Sequence, residues 1–213
     1  MVSMNLHDHH FTDPHPVPPV ADDKPDRRRG SRHVTVFFIA RMTCGGDQGF
    51  GRVLNISDGG MMISARLPLR LGDEVTVDLS ENCTLTGNVV WRDSDWAGLK
   101  LITPIDSLAL LNRLNEERRH SRRRSLRLPV DKPAVAMSEF GIQVVRLRDL
   151  SQRGAKVVHD GRFYPGLSVK IQVTPGHDRR GFVRWSSDGI AGLEFLEVLS
   201  VDDLSSAKAI NEA

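Results

Sequence analysis

The sequence predicts a mainly β protein, built as two tandem six-stranded antiparallel barrels, each followed by a helix. Three observations carry this. Short β-branched and aromatic segments alternate with clusters of Gly, Asp, Asn and Ser, as strands do when tight turns join them. Closing such strands into a barrel removes the edges that would otherwise pair with other chains. The chain also repeats itself: adding 94 to Asn55, Ser57, Gly60, Gly72, Val75, Trp91 and Gly98 lands on Asp149, Ser151, Gly154, Gly166, Val169, Trp185 and Gly192. A repeat that long means two domains, because solenoid units run to about 20–50 residues.

Residues 1–26 hold Pro14, Pro16, Pro18, Pro19 and Pro25 among scattered His and Asp. Low apolar content with frequent proline reads as a disordered tail. His7, His9, His10 and His15 read as solvated rather than metal-bound, since closing a site would cost the tail its chain entropy. The first barrel is expected over 27–117. HVTVFFIARMTC, GFGRVLNIS, GMMISARL, EVTVDL, CTLTGNVVW and AGLKLI are its six strand segments. The period then changes. Ile105, Leu108, Leu111 and Leu114 recur at helical spacing, with Asp106 or Ser107 to cap the start. This helix is expected to close its own barrel.

The second barrel is expected over 118–213, opened by an arginine-rich lead-in. LPVDKPAVAM, GIQVVRLRDLS, GAKVVHD, SVKIQVT, GFVRWS and AGLEFLEV repeat the order of the first. Its last segment, VDDLSSAKAINEA, is short and weakly apolar, so a poorly packed or frayed helix is expected there. Trp91 and Trp185 hold equivalent places in the fifth strand, and core or barrel-rim packing is their expected job.

A chain of 213 residues divides into units of about 90, each large enough to bury a core without disulfides. Cys44 and Cys83 both lie in the first unit with no counterparts in the second, which argues against a disulfide framework and for a reducing compartment. VTVFFIA is far below the ~18 residues of a membrane span, and the N-terminus shows no basic-then-apolar signal pattern. A cytoplasmic protein is expected. The net charge of +2 hides an uneven distribution: arginines crowd two short runs, while the tail carries five aspartates. Two local anion sites fit that better than one long basic surface.

Those runs are where the chemistry repeats. RRRGSR spans Arg27 to Arg32 and RRRSLR spans Arg122 to Arg127, each just ahead of a first strand. Arg28 and Arg32, and Arg123 and Arg127, are four residues apart. An arginine fork fits phosphate bidentately, pairs with guanine O6 and N7, and stacks on aromatic faces. NISDGG and DLSQRG then close the second strand of each unit. Asn55 or Asp149 can accept from the donor edge of guanine, Ser57 or Ser151 can donate or accept, and Gly60 or Gly154 permits positive φ and lets a ligand approach the backbone. Asx-x-Ser-x-x-Gly alone is an ordinary turn. Its repetition behind an arginine pair, twice over, points to a small, planar, anionic ligand.

On these motifs the chain resembles two tandem PilZ domains, the receptor family for cyclic di-GMP. RxxxR and [DN]xSxxG are both complete in each half, and the resemblance covers about residues 27–200. It implies a six-stranded antiparallel barrel followed by a helix, with cyclic di-GMP as ligand and no cofactor or metal. It also implies that Arg28, Arg32, Arg123 and Arg127 grip guanine and phosphate. Asn55 and Asp149 would contact guanine or orient an arginine, Ser57 and Ser151 would touch the ligand, and Gly60 and Gly154 would shape the turn. Arg27 and Arg122, just ahead of the motif, imply an intercalated pair of ligands at each site. Asn55, an amide where the second unit has a carboxylate, implies weaker pairing in the first.

The mechanism expected is a reorientation of the barrels, with ligand phosphates neutralising the run at 118–127 and biasing a surface for an unidentified downstream protein. This requires different affinity for two states. Two rivals are a nucleic-acid-binding pair of small barrels and a ligand-silent interaction module. The first is disfavoured by scarce aromatics for base stacking. No nucleophile–base pair, metal cluster or phosphate loop points to an enzyme; His33 and His120 flank the arginine runs but read as surface groups.

Overall fold

A computed structural model of the chain describes residues 34–120, 125–174 and 176–213. The first unit contains β1 (Val34–Cys44), β2 (Asp47–Ser57), β3 (Gly60–Ser64), β4 (Glu74–Ser80), β5 (Cys83–Asp93), β6 (Trp96–Leu101) and helix α1 (Ser107–His120). The second contains β7 (Leu128–Ser138), β8 (Gly141–Ser151), β9 (Gly154–Val158), β10 (Ser168–Thr174), β11 (His177–Ser187) and β12 (Ile190–Phe195). A single 3-10 turn (Asp202–Leu204) and helix α2 (Ala207–Glu212) come after them. Each set of strands closes into an antiparallel barrel, in the orders β1-β2-β3-β6-β5-β4 and β7-β8-β9-β12-β11-β10. β1 shuts the first against β4, and β7 shuts the second against β10.

The cores follow from alternation. Along β7, Leu128, Val130, Ala134 and Ala136 point inward while Asp131, Val135 and Met137 point out. Burying each large aliphatic side chain contributes about 1.5–3 kcal/mol. Cys44 and Cys83 are buried free thiols. Burial pushes both thiol pKa values up, helped at Cys44 by Asp73 and partly opposed at Cys83 by Arg113. No helix among the described residues is long and apolar enough to cross a membrane.

Helix α1 starts where the capping residues of the sequence allow. Asp106 Oδ1 accepts the Ala109 N–H at 2.9 Å, an N-cap bond. Its buried face differs slightly from the expected stripe: Leu110, Leu111 and Leu114 join the first core, whereas Leu108 faces solvent. The helix continues to His120, so Arg118 and Arg119 of the lead-in are helical, and the Arg118 guanidinium lies 3.8 Å from the Phe38 ring centroid.

The frayed C-terminus expected from sequence is corrected. Leu204, Ala207 and Ile210 are buried in the second core, and Ser206 caps α2 by accepting the Ala209 N–H at 3.0 Å. What rescues so short a helix is the other barrel. Asp47 of β2 accepts from Ser206 Oγ at 2.6 Å and from the Lys208 N–H at 3.0 Å. Phe50, also on β2, is 2% exposed and belongs to the core of the second barrel, not the first. A Cβ on Gly49 would sit 1.8 Å from the Ser205 carbonyl oxygen, so the barrels meet backbone to backbone here. Arg66 and Asp202 add an ion pair at 3.6 Å.

Candidate ligand site

Each Asx-x-Ser-x-x-Gly motif forms a tight hairpin, β2 to β3 and β8 to β9. Ser57 pairs with Gly60, and Ser151 with Gly154. The serine hydroxyls donate across these turns, Ser57 Oγ to the Gly60 carbonyl at 3.1 Å and Ser151 Oγ to the Gly154 carbonyl at 3.2 Å. Ser151 is 2% exposed, so its first duty is to lock the turn.

One of the two reasons expected for the glycines, positive φ, is corrected as well. Neither Gly60 nor Gly154 has positive φ. What each lacks room for is a Cβ, which would lie 2.6 Å from the Leu99 carbonyl oxygen at Gly60 and 2.1 Å from that of Leu193 at Gly154. The hairpin is pressed against the neighbouring strand, β6 or β12. The turn also grips the segment that leaves the barrel. Asp58 Oδ1 accepts from the Ser107 N–H and Oγ at 3.0 and 2.7 Å, holding the start of α1. In the second barrel the Gln152 carbonyl accepts the Leu199 N–H at 2.7 Å.

From the motif outward, one row of cross-strand partners runs over each barrel. In the first it is Thr35, Asn55, Met62, Gly98 and Trp91; in the second, Pro129, Asp149, Lys156, Gly192 and Trp185. Register slips fall beside Asn55, Asp149, Trp91 and Trp185, and such bulges re-aim side chains. The tryptophans are not core residues. They lie on the outer wall, 42% and 44% exposed, each ring over the glycine opposite it. A Cβ on Gly98 would strike Trp91 Nε1 at 1.9 Å, and one on Gly192 would strike Trp185 Nε1 at 2.2 Å.

The two rows differ in charge. Asp149 is bonded by the Arg127 guanidinium, and its other oxygen lies 3.4 Å from Lys156 Nζ. Among the described residues, the contact found for the Asn55 side chain is a long one from Nδ2 to Met62 Sδ, 3.9 Å. Arg127 is tied down at its backbone too, where its carbonyl accepts from Arg41 Nη1 of the first barrel at 2.7 Å. Arg41 is itself held by Asp78, with Nε and Nη2 donating to Oδ2 at 2.9 and 2.8 Å.

Of the residues singled out in the sequence, the structure brings Arg127, Asp149, Ser151 and Gly154 together, and likewise Asn55, Ser57 and Gly60. Arg27, Arg28, Arg32, Arg122 and Arg123, with the tail and its histidines, lie outside the described residues. Sequence reasoning missed Lys156, Met62 and Arg41. Lys156 aligns with Met62 under the shift of 94, so it falls outside the set of residues the two halves share. Arg41 is a strand residue whose partner in the other barrel only the docking reveals.

Two cavities lie away from the motif turns. One, about 230 Å³, sits between the barrels against Phe50, Arg52, Arg66 and Asp202. The other, about 580 Å³, is an open depression beside Trp91. Among the described residues no group of three or more His, Cys, Asp or Glu could hold a metal ion.

The sequence model of the family described as PilZ domain matches residues 26–117 and again 117–210. No curated protein sequence matches the chain. Solved structures similar to it include PlzA of Borreliella burgdorferi in complex with c-di-GMP, at 12% identity and a TM-score of 0.37, covering 85% of this chain and 92% of that one. The inhibitor of motility MotI/DgrA of Bacillus subtilis is 14% identical, with a TM-score of 0.30 and coverage of 82% and 91%. YcgR of Escherichia coli in complex with c-di-GMP is 13% identical, with a TM-score of 0.31 and coverage of 78% of each chain. Likenesses this distant carry no weight for the site.

Proposed function

The chain belongs to the PilZ domain family in both its halves, and from that premise we propose that it is a receptor for cyclic di-GMP with one site on each barrel. The observation that supports this most is the doubled outer-wall row, in which an Asx side chain beside a locked Ser–Gly hairpin is joined across the sheet by an exposed tryptophan. In the second barrel Arg127 already reaches the carboxylate of that row.

On this reading Arg28 and Arg32, and Arg123 and Arg127, clamp guanine and phosphate from the lead-ins, while Arg27 and Arg122 admit a second, intercalated ligand at each site. Asn55 and Asp149 orient the arginines or accept from guanine. Ser57, Ser151, Gly60 and Gly154 keep the hairpin low enough for a flat ligand. The neutral first row and the charged second row bind with different strength and salt dependence. The protein binds and signals; it does not hydrolyse its ligand.

The output arises at the joint. The lead-in to the second site is also the link between barrels, and phosphate held there competes for Arg127. Because Phe50 anchors the barrels to each other, the response is a change of angle about that contact, presented to a downstream protein partner. Such a shift needs ligand affinity that differs between the two arrangements.

The test is calorimetric titration with cyclic di-GMP of the intact chain, Arg28→Ala and Arg123→Ala. Each substitution is expected to remove one class of site. Absence of binding by the folded chain at millimolar ligand overturns the reading. A scattering profile unchanged by saturating ligand overturns the change of angle alone.

A further inference from the structure

The shift of 94 relates the surfaces of the two barrels as well as their motifs. On the first barrel the outer face of the β1–β2 hairpin tip carries Arg41 opposite Phe50 and Thr43 opposite Gln48. This is the face that docks on the second barrel, through Phe50 in its core and Arg41 on the Arg127 carbonyl. The equivalent face of the second barrel, on β7 and β8, carries Val135 opposite Val144 and Met137 opposite Ile142. Among the described residues this face is left uncovered. Ile142 and Val144 are 73% and 71% exposed, with Met137, Val135 and Phe140 also exposed beside them.

Four apolar side chains facing water in two adjacent cross-strand pairs are not scattered surface residues. Contiguous apolar patches rimmed by polar groups mark interaction sites. The rim here carries both signs. Further along the same face, Asp131 accepts from Arg146 Nε and Nη2 at 2.6 and 2.8 Å and from Arg148 Nη1 at 3.0 Å.

We propose that this β7–β8 face is where two copies of the chain pair, each presenting the same patch to the other. The face is self-complementary: a two-fold axis sets apolar centre against apolar centre and lays the guanidinium groups of one copy beside an Asp131 of the other that its own Arg146 and Arg148 already hold, as an isologous contact allows. The patch is small beside the roughly 800 Å² per partner of a stable complex, so the pairing is weak, with dissociation at about 1–100 µM. It does not depend on the ligand and stands apart from the proposed function.

Sedimentation equilibrium of the full chain without ligand, from about 1 to 300 µM, tests it. The expected result is a mass rising from that of one chain toward twice that value. The double variant Ile142→Arg/Val144→Arg is expected to stay monomeric throughout, while Val90→Arg, a charge placed on an exposed apolar residue of the other barrel, associates like the parent. A monomeric parent at every concentration overturns the proposal, and the face then belongs to another protein or segment. Association that survives the double variant overturns it equally. Both altered positions are exposed, and circular dichroism checks that the fold is kept.

Discussion

Arg41 of the first barrel donates from Nη1 to the main-chain carbonyl of Arg127 at 2.7 Å, and the side chain of Arg127 holds Asp149 of the second. A residue of one domain thus fixes the backbone of a candidate ligand residue in the other. Arg41 is in turn oriented by Asp78, which also accepts from Thr84 Oγ1 at 2.7 Å.

Replacing Arg41 by Met should weaken ligand binding at the second site about fivefold, the worth of one net hydrogen bond of ~1 kcal/mol. Binding at the first site should change less than twofold. Calorimetry on the variant, with Arg28→Ala or Arg123→Ala to isolate each site, reads both numbers. An equal loss at both sites would show that Arg41 acts on general stability instead.

Phe50→Ala should destabilise the second barrel although the residue is carried by the first. Removing a buried phenylalanine costs about 3–5 kcal/mol. Hydrogen exchange should show the loss of protection in β7–β12 and α2 ahead of β4–β6. Protection lost only within the first barrel would contradict the shared core.

At the hairpins, Gly154→Ala should cost about 1–3 kcal/mol, because its Cβ must push against a backbone carbonyl and not a flexible side chain. Gly59→Ala, where a Cβ would meet nothing within 4 Å, is the control. Urea unfolding midpoints compare them directly.

The rows should also separate the two sites by salt. Lys156→Met should flatten the dependence of second-site affinity on ionic strength, and Met62→Lys should steepen that of the first, since screening acts on the charge that each change removes or adds. Titrations at low and high salt decide it.

His159 gives the chain an acid-sensitive element. Its Nδ1 accepts the Gly161 and Phe163 N–H groups at 3.0 and 3.3 Å, Nε2 lies 3.0 Å from Ser186 Oγ, and the ring stacks on Phe163 at 4.8 Å. Burial lowers its pKa below the usual 6.5, with Asp160 opposing. The folded state therefore binds its proton less readily than the unfolded state. Its contribution is fully present above about pH 6.5 and declines as pH falls below that value toward the depressed folded pKa. His159→Gln should reduce the fall in melting temperature between pH 7 and pH 5. An identical pH profile for parent and variant would exclude the histidine.

Much of the fold and of the motif hairpins was legible in the chain because the signal was local or doubled. Strand alternation such as LPVDKPAVAM, the Asp106 cap and the hairpin turns all depend on neighbours a few residues away, and the repeat filtered chance from pattern. Lys156 and Arg41 escaped because each lacks a counterpart in the other half. α2 read as frayed because its stabilising partners, Asp47 and Phe50, lie far off in sequence. Trp91 and Trp185 read as core or rim, but register bulges turn them onto the outer wall over Gly98 and Gly192.

By itself the sequence determined two closed barrels, the place of their Asx–Ser–Gly hairpins and the arginine runs that precede them, since periodicity and turn chemistry act over short spans of chain. Only the tertiary structure decided that Phe50 belongs to the other barrel's core, that Arg127 is held from across the joint, and that the matching face of the second barrel stands open. Those outcomes depend on which surfaces bury each other, and surface complementarity between distant segments leaves no spacing to read.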